Sequence, residues 1–100
     1  MFLVLWEFDV KPGFESRFEK VYGPQGGWAQ FFRNDPHYRE TRLLRDPVRP
    51  GGYVTLDLWD SHDAYEQFRQ QNREAYSALD HSCEAMILRE KHLGSFDEIP

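Results

Sequence analysis

The chain has 100 residues, a formal net charge of −5 and a single cysteine. That length supports one domain with a modest core. The charge argues against nucleic acid or an anionic membrane as a partner, and a lone cysteine excludes an internal disulfide or a cysteine metal cluster. Phe2 to Trp6 is apolar but too short for a signal peptide and lacks a basic flank, and no run approaches membrane-spanning length, so a cytoplasmic protein is expected.

Aromatic residues make up 16% of the chain. A small core does not readily absorb that many, so some of them are expected to meet a ligand or a second subunit. Phe2 to Val10 reads as the first strand, apolar on both faces until Glu7 and Asp9, which suits the middle of a covered sheet. Lys11-Pro12-Gly13 ends it. Phe14, Phe18, Val21 and Tyr22 recur at helical spacing and define a first helix, closed by Gly23-Pro24. Trp28 to Arg33 predicts another short helix, open to three roles: core, cavity lid or dimer contact.

After a turn at Asn34-Asp35-Pro36, Tyr38 to Arg45 reads as a second strand. Its charges suit a sheet edge, and its alternation does not say which face points inward. The five arginines from Arg33 to Arg49 are interleaved with Asp35, Glu40 and Asp46 and read as a solvated, ion-paired surface. Asp46 to Gly52 is a hairpin loop. Tyr53 to Trp59 is the third strand. Val54, Leu56 and Leu58 share one face, and Tyr53, Thr55, Asp57 and Trp59 share the other. The aliphatic face is expected to carry the helices, and the mixed face to wall a partly polar cavity. Ser61 caps a helix that buries Ala64, Tyr65, Phe68, Ala75, Tyr76 and Leu79, with a kink around Gln70 to Arg73. Cys83 to Phe96 reads as the fourth strand, with Cys83 as a small hydrophobe rather than a nucleophile.

The order β-α-β-β-α-β is the split-βαβ, ferredoxin-like plan of the α+β class: a four-stranded antiparallel sheet with its helices on one face. The other face has no cover of its own. Trp6 or Leu5, Tyr53 and Trp59 are expected there, and a homodimer with two-fold symmetry would bury it.

Three stretches, WEFDVKPGFESRFEKVYG, YVTLDLWDSHDAYEQF and CEAMILREKHLGSF, resemble the antibiotic biosynthesis monooxygenase domain family over nearly the whole chain. The resemblance implies a dimeric α+β barrel. It also implies either a haem-degrading branch or a branch of oxygenases acting on polyketide and quinol substrates without metal or flavin. The haem-degrading pattern wants a Trp early in the second helix where Phe68 stands, a His three turns later, and an Asn in the first strand. The helix from Ala64 to Leu79 has no His, Phe2 to Val10 has no Asn, and His81 lies past the helix, so that branch is disfavoured. The other branch implies that Trp59 lines the cavity, that Asp57 and Arg42 are catalytic candidates as base and anion stabiliser, and that Tyr53 is a hydrogen-bond donor. An aspartate needs burial to become a base near neutrality, and Asp57 paired to Arg42 across neighbouring strands is the plain alternative.

Thr55 and His92 complete the candidate pocket. His37 and His62 are expected at the surface. No spacing suits a metal site, and no glycine loop suits a nucleotide phosphate. Three classes follow: a cofactor-independent monooxygenase using molecular oxygen and a small aromatic molecule, a small-molecule-binding dimer, and a structural dimer with a filled barrel. A cavity of roughly 300 Å³, the usual lower size of a ligand site, would separate the first two from the third.

Overall fold

The computed structural model describes residues 1–100. In chain order it contains β1 (Phe2–Val10), α1 (Glu15–Tyr22), α2 (Gly27–Phe32), β2 (Tyr38–Arg45), β3 (Gly52–Trp59), α3 (His62–Gln71), α4 (Arg73–Cys83) and β4 (Ile87–Asp97), with a turn of 3-10 helix at Glu84–Met86 before β4. The strands form one antiparallel sheet in the order β2-β3-β1-β4, which is the split-βαβ plan expected. Local chemistry sets the boundaries. Gly13 takes a positive φ in the turn after β1, a conformation open mainly to glycine. The Asp46 carboxylate accepts from the amides of Val48 and Arg49 in the β2–β3 hairpin. The Ser61 hydroxyl accepts from the amide of Ala64 at 3.1 Å and starts α3.

The expected assignment of faces is reversed. Phe2, Val4, Phe8 and Val10 of β1, with Tyr53 and Trp59 of β3, are buried on the helix side of the sheet. They pack against Phe18 and Tyr22 of α1, Phe32 of α2, and Tyr65 and Phe68 of α3. Leu3, Leu5, Val54, Leu56 and Leu58 are only half-buried and lie on the other side, which no helix covers. Leu44 and Phe96 extend that aliphatic surface, opposite Val54 and Leu3 in register. The reason lies in the helices. They present aromatic rings, and rings pack best on rings in offset and edge-to-face geometry, so the aromatic side of β3 turns toward them.

The second helix is broken at Asn72, inside the kink expected around Gln70 to Arg73, and the Asn72 side-chain amide donates to the carbonyl of Phe68. Two other expectations are corrected. Tyr76 and Leu79 turn inward while Ala75 is exposed. The helix then runs on through Cys83, and β4 starts only at Ile87. Tyr76, Leu79, Cys83 and Met86 keep helical spacing, and that period prevails over the two-residue alternation of Cys83, Ala85 and Ile87. Cys83 is buried in the core, and His81 pairs with Glu84 at the surface instead. The arginine-rich stretch behaves as expected: Arg39, Arg42, Arg45 and Arg49 all carry acidic partners at the surface, where each pair contributes little.

Gly26 is where packing demands a missing side chain. A Cβ there would stand 2.3 Å from the carbonyl oxygens of both Lys20 and Val21, so α1 and the start of α2 are held at backbone contact. Gly26→Ala is expected to destabilise the fold by roughly 1–3 kcal/mol, read as a lower midpoint in urea. A midpoint equal to the parent's would show that this contact is not tight.

Candidate active site

Between the inner face of the sheet and the helices lies a cavity of about 150 Å³. Its walls are largely aromatic: Trp6 and Phe8 from β1, Tyr22 and Trp28 from the first helical pair, Tyr65 and Tyr76 from α3 and α4. Thr55 and Asp57 enter from β3 and Thr41 from β2. Arg69 is the only cation among the lining residues, and Asp80 and Glu90 are the other acids.

Asp57 is the chemical centre of this space. Thr41 Oγ1 donates to its Oδ1 at 2.6 Å, and the Tyr38 hydroxyl lies 2.7 Å from the same Thr41 oxygen. Threonine has one hydroxyl proton, committed to the carboxylate, so Tyr38 donates into Thr41. The chain Tyr38–Thr41–Asp57 orients one carboxylate oxygen. The other makes no hydrogen bond within the protein, and Asp57 is a lining residue of the cavity. Burial pushes the Asp57 carboxyl up to about 6, and the Thr41 hydrogen bond offsets only part of that. Burial likewise raises Tyr65, Tyr76 and Glu90, so the phenols stay protonated as donors. Trp28 offers one more: its indole nitrogen is buried with no partner, against the rule that such groups are paired.

The structure divides the residues expected at the site. Thr55 and Asp57 line the cavity. Trp59 does not: it is fully buried among Phe32, Tyr38, Tyr65 and Phe68, one layer behind the wall. Tyr53 is inward-facing but lies outside the lining, its hydroxyl donating to Glu19, whose carboxyl is held below the ordinary range by Tyr53 and Arg45. His92 is exposed, 4.9 Å from the Trp6 ring between centroids and hydrogen-bonded to Ser95. Arg42 sits across from Leu56 on the opposite face of the sheet and pairs with Glu40, so no Arg42–Asp57 ion pair forms. The cause is a register shift between Tyr38 and Glu40. It places Tyr38 and Thr41 on the same inner face despite their odd spacing and sends Arg42 outward. His37 and His62 are exposed, as expected.

Sequence reasoning missed Thr41, Arg69 and the pocket roles of Tyr65 and Tyr76. Tyr65 and Arg69 are spaced by four residues on α3, and that shared helical face is the signal that could have found Arg69; Tyr76 lies on α4, past the break. No group of three or more His, Cys, Asp or Glu side chains is placed to hold a metal ion. No helix is long and apolar enough to cross a membrane.

The model of the antibiotic biosynthesis monooxygenase family matches residues 1–78. The chain belongs to that family. Solved structures agree on the fold. SnoaB, a cofactor-independent oxygenase from Streptomyces nogalater, is 24% identical, with 99% of this chain and 93% of that one covered and a TM-score of 0.72. A candidate antibiotic biosynthesis monooxygenase from Caulobacter crescentus is 21% identical over 99% of this chain and 90% of its own, with a TM-score of 0.79. One from Deinococcus radiodurans reaches 0.78 at 11% identity, covering 100% and 94%. No curated protein matches the chain at a significant level.

Proposed function

We propose that this family member is a monooxygenase of a small phenol, with Asp57 as the base. The observation that carries the reading is a carboxylate titrating near 6 inside an aromatic cavity, with one oxygen fixed by Thr41 and the other free. A general base works best when its pKa lies near the working pH. The volume suits one aromatic ring, since a cavity of about 150 Å³ is enough to hold benzene in another protein. It is half the usual lower size of a drug-like ligand site.

The chemistry balances without a further reductant. Asp57 takes the phenolic proton, and the phenolate passes its electrons to molecular oxygen. A C–O bond forms at the para carbon, giving a peroxide whose distal oxygen takes the proton back from Asp57. The O–O bond breaks as the para C–H proton leaves, so phenol and oxygen become quinone and water. The phenols of Tyr65 and Tyr76 and the guanidinium of Arg69 stand where they would stabilise the anion and orient the ring. Neither metal nor flavin is needed in this scheme.

The expected result is enzyme-dependent oxygen uptake with phenol, measured above the spontaneous rate. It should rise with pH through about 6 and then level, because only the ionised carboxylate accepts the proton. A rate that falls over that range would remove Asp57 as base. Binding without any uptake would leave the second reading, a small-molecule-binding dimer, and neither binding nor uptake would leave the structural dimer, toward which a volume below roughly 300 Å³ points.

The dimer belongs to the same reading. Leu3, Leu5, Leu44, Val54, Leu56, Leu58 and Phe96 make up an apolar surface bordered by the Glu40–Arg42 pair and the Glu7, Asp9, Arg49 and Arg89 cluster. A self-complementary apolar centre with a charged rim suits an isologous contact. Sedimentation at micromolar concentration is expected to give twice the chain's 11.9 kDa. A species of the single-chain mass would count against the dimer.

A further inference from the structure

Arg69 and Tyr76 line the cavity on one side and an outer groove of about 340 Å³ on the other. The groove lies across the break between α3 and α4, and Glu66, Gln70, Arg73 and Ser77 complete it. Its character is opposite to that of the cavity, with Tyr76 its only apolar wall. Five of the nine arginines have acidic partners; Arg69 and Arg73 are among the four that have none, and the groove's one acid, Glu66, turns to His62 at 3.6 Å. Arg69 is held in place by aromatic faces instead, its guanidinium 4.9 Å from the ring centre of Tyr76 and 5.6 Å from that of Tyr65. Such stacking fixes the carbon skeleton and leaves the N–H fork free for an anion.

We infer that the groove is the second half of a bipartite site and takes a carboxylate carried by the phenolic substrate, with Arg69 and Arg73 as its contacts. The inference rests on the reading of the cavity as a phenol site and adds to it the chemical class of the substrate, a hydroxylated aryl alkanoate. The ring enters between Trp28 and Tyr65 with its hydroxyl toward Asp57. The acidic tail trails out past Tyr76 and is caught by the two arginines. The arrangement also explains a charge problem. The cavity walls carry three acids against one cation, and a carboxylate inside would be repelled, so an anionic group binds only with its charge on the outer side of Arg69.

The test is calorimetric titration of 3-hydroxyphenylacetate and 3-(3-hydroxyphenyl)propanoate, whose para carbons keep their hydrogen, each beside its own amide, with phenol as reference. At least one acid is expected to bind roughly tenfold tighter than its amide, which corresponds to one charge-assisted contact, and to lose that advantage as salt is raised. Arg73 does not line the cavity, so Arg73→Gln is expected to bring the acid-to-amide ratio down toward one, and Arg73→Lys to restore most of it. Amides that bind as tightly as both acids would overturn the groove and leave the cavity reading intact. If phenol and the amides fail to bind at all, the cavity reading falls and the groove proposal with it.

Discussion

Asp57→Asn is expected to make the protein more stable and catalytically silent at the same time. The carboxyl titrates near 6 in the fold and near its ordinary 3.8 when unfolded. The folded state therefore holds its proton longer. Between about pH 4 and pH 6 folding takes up a proton, so stability falls as pH rises. Above about 6 both states are ionised, and the fold carries the full cost of a buried charge, roughly 3 kcal/mol from a difference of that size. An amide bears no charge and can still accept from Thr41 through its carbonyl oxygen. The variant should gain roughly 2–3 kcal/mol at pH 8, or on the order of 10 °C in Tm for a domain of this length, and the gain should shrink toward nothing near pH 4. Oxygen uptake should drop at least about a hundredfold, the lower range for removal of a general base. Thermal melts of parent and variant at pH 4, 6 and 8 read the first part. Parallel Tm values across that range would mean that Asp57 is not ionised in a buried site, and the catalytic argument would lose its base.

The second large effect falls on Trp59. It is fully buried and touches Phe32, Tyr38, Tyr65 and Phe68 at ring separations between 5.2 and 5.5 Å. It therefore joins the end of β3 to β2, α2 and α3 in one aromatic cluster. Trp59→Ala should cost about 3–5 kcal/mol through lost burial and the cavity left behind, a large part of the roughly 5–15 kcal/mol typical of whole domains. Trp59→Phe should cost markedly less. It keeps an aromatic body and removes an indole N–H that is buried without a partner, so part of the packing loss is offset. Denaturant unfolding of both variants measures this. An alanine variant within about 1 kcal/mol of the parent would place Trp59 at a site that collapses freely.

How much of this is legible in the sequence follows from what each pattern encodes. The alternation of Tyr53 to Trp59 puts Thr55 and Asp57 on a cavity wall, and they are there. The same alternation suggests that the aliphatic residues meet the helices, and they do not. Strand periodicity says which residues share a face but not what the face meets. That depends on the partner, and here α1, α2 and α3 are faced with Phe18, Phe32, Tyr65 and Phe68. Arg42 departs from expectation for a different reason: one register shift near Tyr38 exchanges the faces of everything after it, and nothing in the local composition marks it. The meeting of Arg69 and Tyr76 is hidden because it depends on the angle between two helices, a property of the tertiary structure.

The interruption at Asn72 also bears on how the outer wall of the cavity is built. Had α3 and α4 been one rod, the outer wall of the cavity would be a stiff beam. As it stands, the wall is two short levers of 10 and 11 residues meeting at a joint, with Arg69 just before the joint and Tyr76 just after it. The opposite wall is a hydrogen-bonded sheet that yields only by breaking its ladders. The two side chains that separate inside from outside belong to different helices, one on each side of the break, so the partition between cavity and groove is assembled from two elements and not from one helical face.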